Sequence, residues 1–548
     1  MRYSVTPVPF HAAGLLVFTF AACVACGGGI AVPRKVEPPR YDVVVIGAGG
    51  GGLAASAMLA RQGKKVVLLE QGAKVGGYMT AFERPPYTFE VSLHTMDGLN
   101  EGGRSRLLFE QLDILDRVKP IRLDTAYRAV FPDVSIDVPA DVAAYRSELE
   151  RLFPAESEGI DEFFTIMRDM YTAVRWKNLD NAGDRKGAGE AVAANPRFWT
   201  VFFRWGPSSF GDLLDHCTED PKLQAVLSWL SGYIGASPDQ IPAMQVMGMW
   251  ASYHRDGFYY FEGGSRSVSE ALADVVLENG GEIQLGARAA KIELVGGRAA
   301  AVVTQDGERY PCRYVVSNAN ATSTMLEMVG REHLPRHYVN NLDRMKVGPS
   351  LMQIYLGVDH DYAPIFGKAH TISVFDSYDP KINLGTDPRA GNPEKVGLYL
   401  ADFSVVDPLA APPGKNVIVI TAYLPYDWED GWRMREGAEA HRRLKERTAA
   451  VLIRRAEKIL PGLSEHIEVM EIATPRTMER FTLNPGGAVY GWAAGQSMSW
   501  GTYAMPRKTP IPNLYLASAW SAGGGQSNVI AVGVNVAQEI LEEEGIEK

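Results

Sequence analysis

The sequence predicts an α/β fold in which a sheet of buried parallel strands carries helices, with an α+β substrate domain inserted. Three runs predict it: a buried β-branched strand at 41–46, an alanine-rich helix at 53–61, and a second buried strand at 65–70. Strand, helix and strand follow one another within ~30 residues, the length of a compact βαβ unit. At 548 residues the chain is too long for one ordinary core, so two domains are expected.

An apolar segment at 1–32 precedes these elements, and residues 33–40, which are rich in proline, are predicted to form a linker. No charged side chain occurs between positions 10 and 32. The segment fits a secretory signal, a lipoprotein signal with Cys23 or Cys26 as the lipidated residue, or an uncleaved anchor. More basic residues follow it than precede it: Arg34, Lys35 and Arg40. If the segment is an uncleaved anchor, the body of the protein would therefore lie in the cytoplasm. We expect the protein to be associated with a membrane. The segment alone does not decide between export of the protein and an anchor that leaves it in the cytoplasm.

A glycine-rich loop joins the first strand to its helix: Gly47-Ala48-Gly49-Gly50-Gly51-Gly52. Gly47 permits the tight turn, Gly49 lets the backbone approach phosphates, and Gly52 allows close helix–strand packing. The helix N-terminus that follows favours a pyrophosphate. Glu70 ends the second strand, where an acid accepts hydrogen bonds from ribose hydroxyls. The pattern predicts a Rossmann-type dinucleotide site, with NAD or FAD as its ligand.

The rest of the chain alternates in type. A largely helical region runs from 107 to 249, with a polar insertion at 177–195 that is predicted to be a surface loop. Further helices are predicted at 265–277, 437–459 and 528–542. Further strands are predicted at 283–303 around the turn Gly296-Gly297, and at 314–317, 351–356, 416–422 and 514–517. The nucleotide-binding domain is therefore assigned to 41–106, 255–325 and 471–548, and the substrate domain to 107–254 and 326–470.

Composition excludes several classes of function. The net charge of −10, without any Lys/Arg-rich run, argues against a nucleic-acid partner. The four cysteines are too few and too scattered for a disulfide framework, and they have no metal-ligand spacing: Cys23, Cys26, Cys217 and Cys312. No metal site is therefore expected.

Further motifs resemble those of a known group of flavoproteins. Gly76-Gly77 resembles the second glycine pair of the glutathione-reductase-type FAD proteins. Other segments are similar to the phytoene desaturase, carotenoid isomerase and retinol saturase group: Phe89–His94, Tyr259–Ser265, Asp407–Lys415, Thr474–Gly491 and Thr509–Gly525. The resemblance spans essentially 41–541 and decides for FAD over NAD.

The resemblance implies further cofactor contacts, namely Ala519, Gly523, Gly524, Gly525, Val529 and, through its backbone, Ile292. The chain also departs from the group. Tyr78 stands where an arginine is frequent beside the glycine pair, and Glu90 and Ser92 stand where an aspartate and a glycine are common. Ser518, Ala519 and Trp520 occupy a stretch that usually carries a glycine and small residues. These departures affect the choice of substrate more than the binding of FAD.

The group's chemistry implies hydride exchange between a carbon–carbon bond and the flavin, or double-bond isomerisation, on an apolar polyene or lipid such as a carotenoid or retinoid. His94 and Tyr490 are the candidate catalytic residues, with a hydrogen-bonded structural role as the alternative for each. The Met- and aromatic-rich segments at 244–250 and 258–261, together with Tyr253, line an apolar channel or are simple core. No second dinucleotide loop follows a strand, so electrons would leave to oxygen, a quinone or a partner, or the net reaction is redox-neutral. An amine-oxidase-like enzyme and a lipid carrier of the Rab GDP-dissociation-inhibitor type are the alternatives.

Overall fold

The computed structural model describes residues 40–181, 185–385, 391–494 and 505–546. The predicted signal or anchor at 1–32 and nearly all of the linker lie outside the described residues. Within the described ranges, no helix is both long enough and apolar enough to cross a membrane.

The described residues form 19 strands and 18 α-helices. Strands β1 to β19 are, in order, Tyr41–Ile46, Val66–Glu70, Ala81–Arg84, Tyr87–Glu90, Met96–Asp97, Pro120–Leu123, Thr125–Val130, Ser135–Pro139, Phe258–Phe261, Glu282–Leu285, Ala289–Val295, Arg298–Thr304, Arg309–Ser317, Leu351–Val358, Thr371–Val374, Leu398–Asp402, Asn416–Tyr423, Ile467–Ala473 and Leu514–Leu516. Helices α1 to α18 are Gly50–Arg61, Arg104–Gln111, Val142–Leu152, Ser157–Asn181, Arg185–Ala193, Phe198–Trp205, Phe210–Cys217, Pro221–Leu227, Ala243–Asp256, Ser265–Glu278, Arg336–Arg344, Ala363–Phe366, Pro380–Asn383, Trp428–Trp432, Ala438–Ala456, Pro475–Thr482, Ala519–Ala522 and Gln526–Glu543.

The first sheet has the order β10-β2-β1-β13-β12-β11, with β19 beside β13. β1 pairs in parallel with β2 and β13, and β19 pairs in parallel with β13. β12 pairs in antiparallel fashion with both of its neighbours, β11 and β13. Val43, Val44 and Val45 of β1 are completely buried, because helices cover both faces of a parallel sheet. The sheet brings the carboxyl ends of β1, β2, β13 and β19 to one edge.

The second sheet has the order β18-β14-β17-β16-β15-β7-β8 and is antiparallel except for the β15–β7 pair. β14 and β17 are buried along their whole length. Helix α15 covers the sheet through Leu444, Leu452 and Ile453. Two small sheets complete the fold, one of two strands (β3-β4) and one of three (β5-β9-β6).

Helices α3 to α9 build the helical unit that the sequence predicts between 107 and 249. One prediction inside it was wrong: residues 177–195 are not a surface loop, because α4 continues to Asn181 and α5 covers Arg185–Ala193. Packing of α5 against α4 outweighs the low helix propensity of its glycines. Strands β6, β7 and β8 also fall in this region, and the sequence pattern did not predict them.

The strands of the first sheet all fall in the three segments assigned to the nucleotide-binding domain. Those of the second sheet fall in the substrate segments, except that β18 crosses the 470/471 boundary. The domain boundaries themselves stay a prediction.

Candidate site at the edge of the first sheet

The loop between β1 and α1 needs its glycines for steric reasons. Gly47 has a φ of +90°, which disfavours side chains. A Cβ on Gly49 would lie 2.4 Å from Asn318 Oδ1, and one on Gly52 would lie 2.0 Å from the Gly47 carbonyl oxygen. The loop therefore holds its backbone amides bare at the start of α1, as a phosphate requires.

Glu70, at the end of β2, fixes this loop from the side. Its carboxylate accepts hydrogen bonds from the Ala48 amide and the Gly72 amide, each at 2.7 Å. Both oxygens keep further lone pairs toward the cavity that Glu70 lines. The acid predicted for a ribose thus also orders the phosphate loop.

The second glycine pair lies directly against the first loop. Gly76 donates its amide to the Ala48 carbonyl at 2.7 Å and has a φ of +115°. A Cβ on Gly77 would lie 3.3 Å from the Gly49 Cα. Larger residues at either position would separate the two loops.

The far end of the chain completes the site. A Cβ on Gly51 would lie 2.1 Å from the Ala517 carbonyl oxygen, and one on Gly533 of α18 would lie 2.2 Å from the Gly51 carbonyl oxygen. Helices α1 and α18 therefore cross in close contact. Their first turns meet, since a Cβ on Gly50 would lie 3.0 Å from Val529 Cγ2.

A cavity of about 2250 Å³ opens at this meeting point. Pockets for single drug-sized ligands are about 300–1,000 Å³, so it has room for a dinucleotide and a substrate together. Every predicted site residue lines it except Gly52, whose role is packing, and Ile292.

The structure does not bring Ile292 to the cavity wall. Its side chain is buried in the core beneath the first sheet, and residues 287–290 line the cavity instead. The pairing of β11 with β12 shifts between Ala289 and Lys291. This irregularity separates the lining segment from Ile292, and the Ala287 amide donates to the Glu70 carbonyl at 2.8 Å.

His94 lines the cavity on the loop after β4. Its ring packs edge-on against Phe403 at 6.0 Å between centroids, and its Nδ1 has no hydrogen-bond partner among the described residues. Burial lowers the pKa of His94 to about 4. The imidazole is therefore neutral near pH 7 and presents both a donor and an acceptor nitrogen.

Glu90 holds the loop that carries His94, a role that sequence reasoning missed. The buried carboxylate accepts from the amides of Ser92, Leu93 and Ser265 and from the Ser265 hydroxyl, at 2.7–3.0 Å. Burial raises the pKa of Glu90, and these hydrogen bonds oppose that shift. The one sign of this role in the sequence was that Glu90 replaces the aspartate that is common at this position in the resembled group.

Tyr490 stands in a group of tyrosines that line the cavity: Tyr233, Tyr253, Tyr399, Tyr423 and Tyr490. Burial raises the pKa of each phenol in this group, so all of them keep their protons. The Tyr423 hydroxyl donates to the Gly232 carbonyl. The sequence analysis named Tyr490 as a catalytic candidate and Tyr253 as channel lining or core. It missed Tyr233, Tyr399 and Tyr423, which come from separate elements of the chain. Trp520 also lines the cavity, and its indole donates to Asn484 Oδ1 at 3.1 Å.

The substrate-side walls are apolar. They come from α4, α6 and α9: Met170, Val174, Phe198, Trp199, Met244 and Met249. The predicted channel is thus partly right, since Met247, Trp250 and Phe258–Phe261 are core instead. Trp176, Trp199 and Phe203 also line the cavity and are 41%, 53% and 71% exposed. We call these three residues the aromatic mouth.

Comparison with known sequences agrees with this geometry. A model of the flavin-containing amine oxidoreductase family matches residues 51–541. The chain is 28% identical over 520 residues to a 4,4'-diapolycopene oxygenase of Methylomonas sp, covering 91% of this chain and 98% of that one. It is 27% identical to prolycopene isomerase 1 of an Oncidium hybrid cultivar, over 95% and 87% of the two chains. It is 25% identical to the all-trans-retinol 13,14-reductase of Danio rerio, over 87% and 82%. The resemblance to this group is confirmed.

Solved structures share the fold. An oxidoreductase from Methanosarcina mazei superimposes with a TM-score of 0.61 at 19% identity, covering 91% of this chain and 100% of that one. A putrescine oxidase bound to putrescine gives 0.60 at 15% identity, covering 92% and 99%. The predicted α/β, Rossmann-like fold is confirmed.

Proposed function

This chain belongs to the flavin-containing amine oxidoreductase family, and from that premise we propose that it acts on carbon–carbon bonds of an apolar polyene such as a carotenoid or retinoid. It is an FAD-dependent oxidoreductase. The residues present fit FAD: the bare amides at Gly49–Gly52, Glu70 and the first turn of α18 surround a cavity of dinucleotide size. A bound flavin supplies the hydride chemistry.

The observation that carries the proposal is the apolar wall from α4, α6 and α9. A wall of methionine, valine and aromatic side chains stabilises a hydrocarbon and excludes water. The named substrates of the relatives support the same class: diapolycopene, prolycopene and retinol. Neutral His94 and the protonated tyrosines orient a substrate by hydrogen bonds and add no charge to the apolar half.

An anaerobic spectral titration of the purified holoprotein tests the substrate class. We expect oxidised flavin to lose its visible absorbance with a polyene that is desaturated, or reduced flavin to regain it with one that is saturated. Chromatography of the polyene detects isomerisation. An amine that bleaches the flavin, with no response to any polyene in these three assays, would decide for the amine-oxidase alternative.

A matched pair of variants assigns the response to the cavity wall. Met249→Arg places a charge in the apolar wall and is expected to remove the polyene response while the flavin absorbance stays. Met470→Arg, at an exposed position on β18, serves as the control and should behave like the wild type. An unchanged response in Met249→Arg would contradict this binding site.

We also propose that the aromatic mouth touches a lipid surface, from which the substrate enters. Exposed tryptophan and phenylalanine beside an apolar cavity suit the membrane interface. A Trp199→Ser/Phe203→Ser double variant should turn over polyene slowly from vesicles but normally from detergent micelles. Leu409→Ser, exposed outside the cavity lining, is the control. Equal losses in vesicles and micelles would contradict the proposal.

A further inference from the structure

Arg104 is a half-buried cation on the cavity wall that the predicted site did not include. It begins α2, and its Nη1 donates to Asn528 Oδ1 at 2.6 Å. Its Nε is buried and has no hydrogen-bond partner among the described residues, where the charge that acts on Arg104 is that of Asp97. Lys74 and Arg288 line the cavity too, but both are exposed. Arg104 thus has donor capacity to spare in a place withdrawn from water.

The surroundings of Arg104 are electropositive. Asn528 lies in the first turn of α18, and the first turn of α1 meets that turn at Gly50 and Val529. A helix N-terminus carries a partial positive charge of roughly half a unit, so two such ends and a guanidinium repel one another. A guanidinium with a buried, unpartnered Nε in such surroundings is stabilised by a compensating anion.

The protein supplies little of that negative charge. Asp97 is the carboxylate that acts on Arg104, and it lies beyond ion-pair distance among the described side chains. Its two oxygens already accept from the hydroxyls of Ser252 and Ser527. Gln526 adds a further buried carbonyl oxygen without a partner. The carboxylate that acts on Arg104 is thus already engaged by two hydroxyl groups.

We propose that Arg104 binds the negative charge of the bound FAD, either its pyrophosphate or the pyrimidine edge of the ring, which becomes negative on reduction. Both are anionic oxygen or nitrogen acceptors that suit a guanidinium fork. The absence of an arginine at Tyr78 supports this role, because the Tyr78 hydroxyl donates to the Ala488 carbonyl at 3.3 Å and carries no charge. The inference needs the FAD cofactor only and is independent of the polyene substrate.

Three variants of the holoprotein test it. Arg104→Met removes the charge at similar volume, Arg104→Lys keeps it, and Arg84→Met is the control. Arg84 lines the same cavity but is half exposed and paired with Glu471 at 2.6 Å. FAD release is followed by its fluorescence on dilution at low and high salt, and the midpoint potential by titration against a reference dye.

If the pyrophosphate is the partner, Arg104→Met should bind FAD about 10- to 100-fold more weakly and with less salt dependence. If the ring is the partner, FAD should stay bound while the midpoint potential falls. Arg104→Lys should retain most of either property. Unchanged affinity and potential in Arg104→Met, or equal effects in Arg84→Met, would overturn the proposal.

A merely structural role gives a different result. If Arg104 only caps α18 through Asn528, Arg104→Met should lower the melting temperature without changing salt dependence or potential, which also overturns the proposal. Should Arg104→Met purify without flavin, the lysine variant decides. Yellow Arg104→Lys supports the charge role, and colourless Arg104→Lys contradicts it.

Discussion

His370 Nε2 donates to the backbone carbonyl oxygen of His94 at 2.9 Å. This bond ties the residue before β15 of the second sheet to the loop after β4, so the two halves of the molecule share the wall on which His94 lies. His370 is fully buried and His94 is half-buried on the cavity wall. Desolvation lowers the pKa of His94 to about 4 and that of His370 to about 3.

These lowered pKa values predict acid sensitivity. Unfolded histidine titrates near 6.5, so below that pH the unfolded chain binds protons that the folded chain refuses, and stability falls. At pH 5 each histidine should reduce the free energy of unfolding by roughly 2 kcal/mol. Melting temperatures at pH 7 and pH 5 measure it. His370→Gln should lose less stability than the wild type on acidification, whereas exposed His333→Gln should match it. A slope in His370→Gln equal to that of the wild type would refute this origin.

Removing the Glu70 carboxylate should release the phosphate loop. Glu70→Ala leaves the Ala48 and Gly72 amides without their acceptor, which costs about 1–3 kcal/mol for each buried donor. We expect the purified variant to lose most of its flavin, measured as flavin absorbance per protein after desalting. Glu70→Gln keeps one oxygen acceptor and should retain more. Full flavin content in Glu70→Ala would show that the loop is ordered without it.

The contact between α1 and the residue after β19 should not tolerate a methyl group. In Gly51→Ala the new Cβ would overlap the Ala517 carbonyl, and the resulting shift should destabilise the protein by about 1–3 kcal/mol. Gly189→Ala on α5 is the matched control, since nothing lies within 4 Å of its Cβ. There the gain in helix propensity should stabilise by up to about 1 kcal/mol. Chemical denaturation should show a lower free energy of unfolding for Gly51→Ala and a higher one for Gly189→Ala. Changes in the same direction would contradict this account.

Removing the Glu90 carboxylate should destabilise the protein far more than removing a neighbouring surface carboxylate. Glu90→Ala strands three buried amide donors and should lower the free energy of unfolding by about 3 kcal/mol. Glu83→Ala, on the adjacent strand β3 and exposed, should change it by less than about 0.5 kcal/mol. Thermal unfolding compares the two, and similar losses would mean that Glu90 is not the anchor of the His94 loop.

The sequence sufficed for the elements whose signal is local. The β1–α1–β2 unit, α10 and the hairpin at Gly296-Gly297 lie where periodicity and glycine placed them. Helix α5 was missed because its stability depends on packing against α4 and not on its own composition. β6 and β7 pair with β9 and β15, which lie far along the chain, so no local pattern announces them. β8 pairs with its neighbour β7, and the sequence analysis missed this hairpin inside a region that it took as helical.

The residues of the site also fall into those that the sequence predicts and those that it does not. Glycines at Gly47–Gly52 and Gly523–Gly525 are visible because their spacing is a steric requirement. Arg104 and the cavity tyrosines belong to separate elements, and only the packing of α2, α9 and the second sheet brings them to one cavity. Ile292 was predicted at the cavity but lies away from its wall. The register shift in β11 that causes this has no signature in the sequence.

The contact between Gly51 and Ala517 also sets an order of events during translation. A nascent chain synthesised as far as β13 holds six of the seven strands of the first sheet, but it lacks the wall that β19 and α18 supply. FAD capture therefore has to wait until that distant stretch leaves the ribosome, although the phosphate loop emerged long before. A nonsense codon or protease cut ahead of β19 would abolish flavin loading while leaving the glycine loop itself intact.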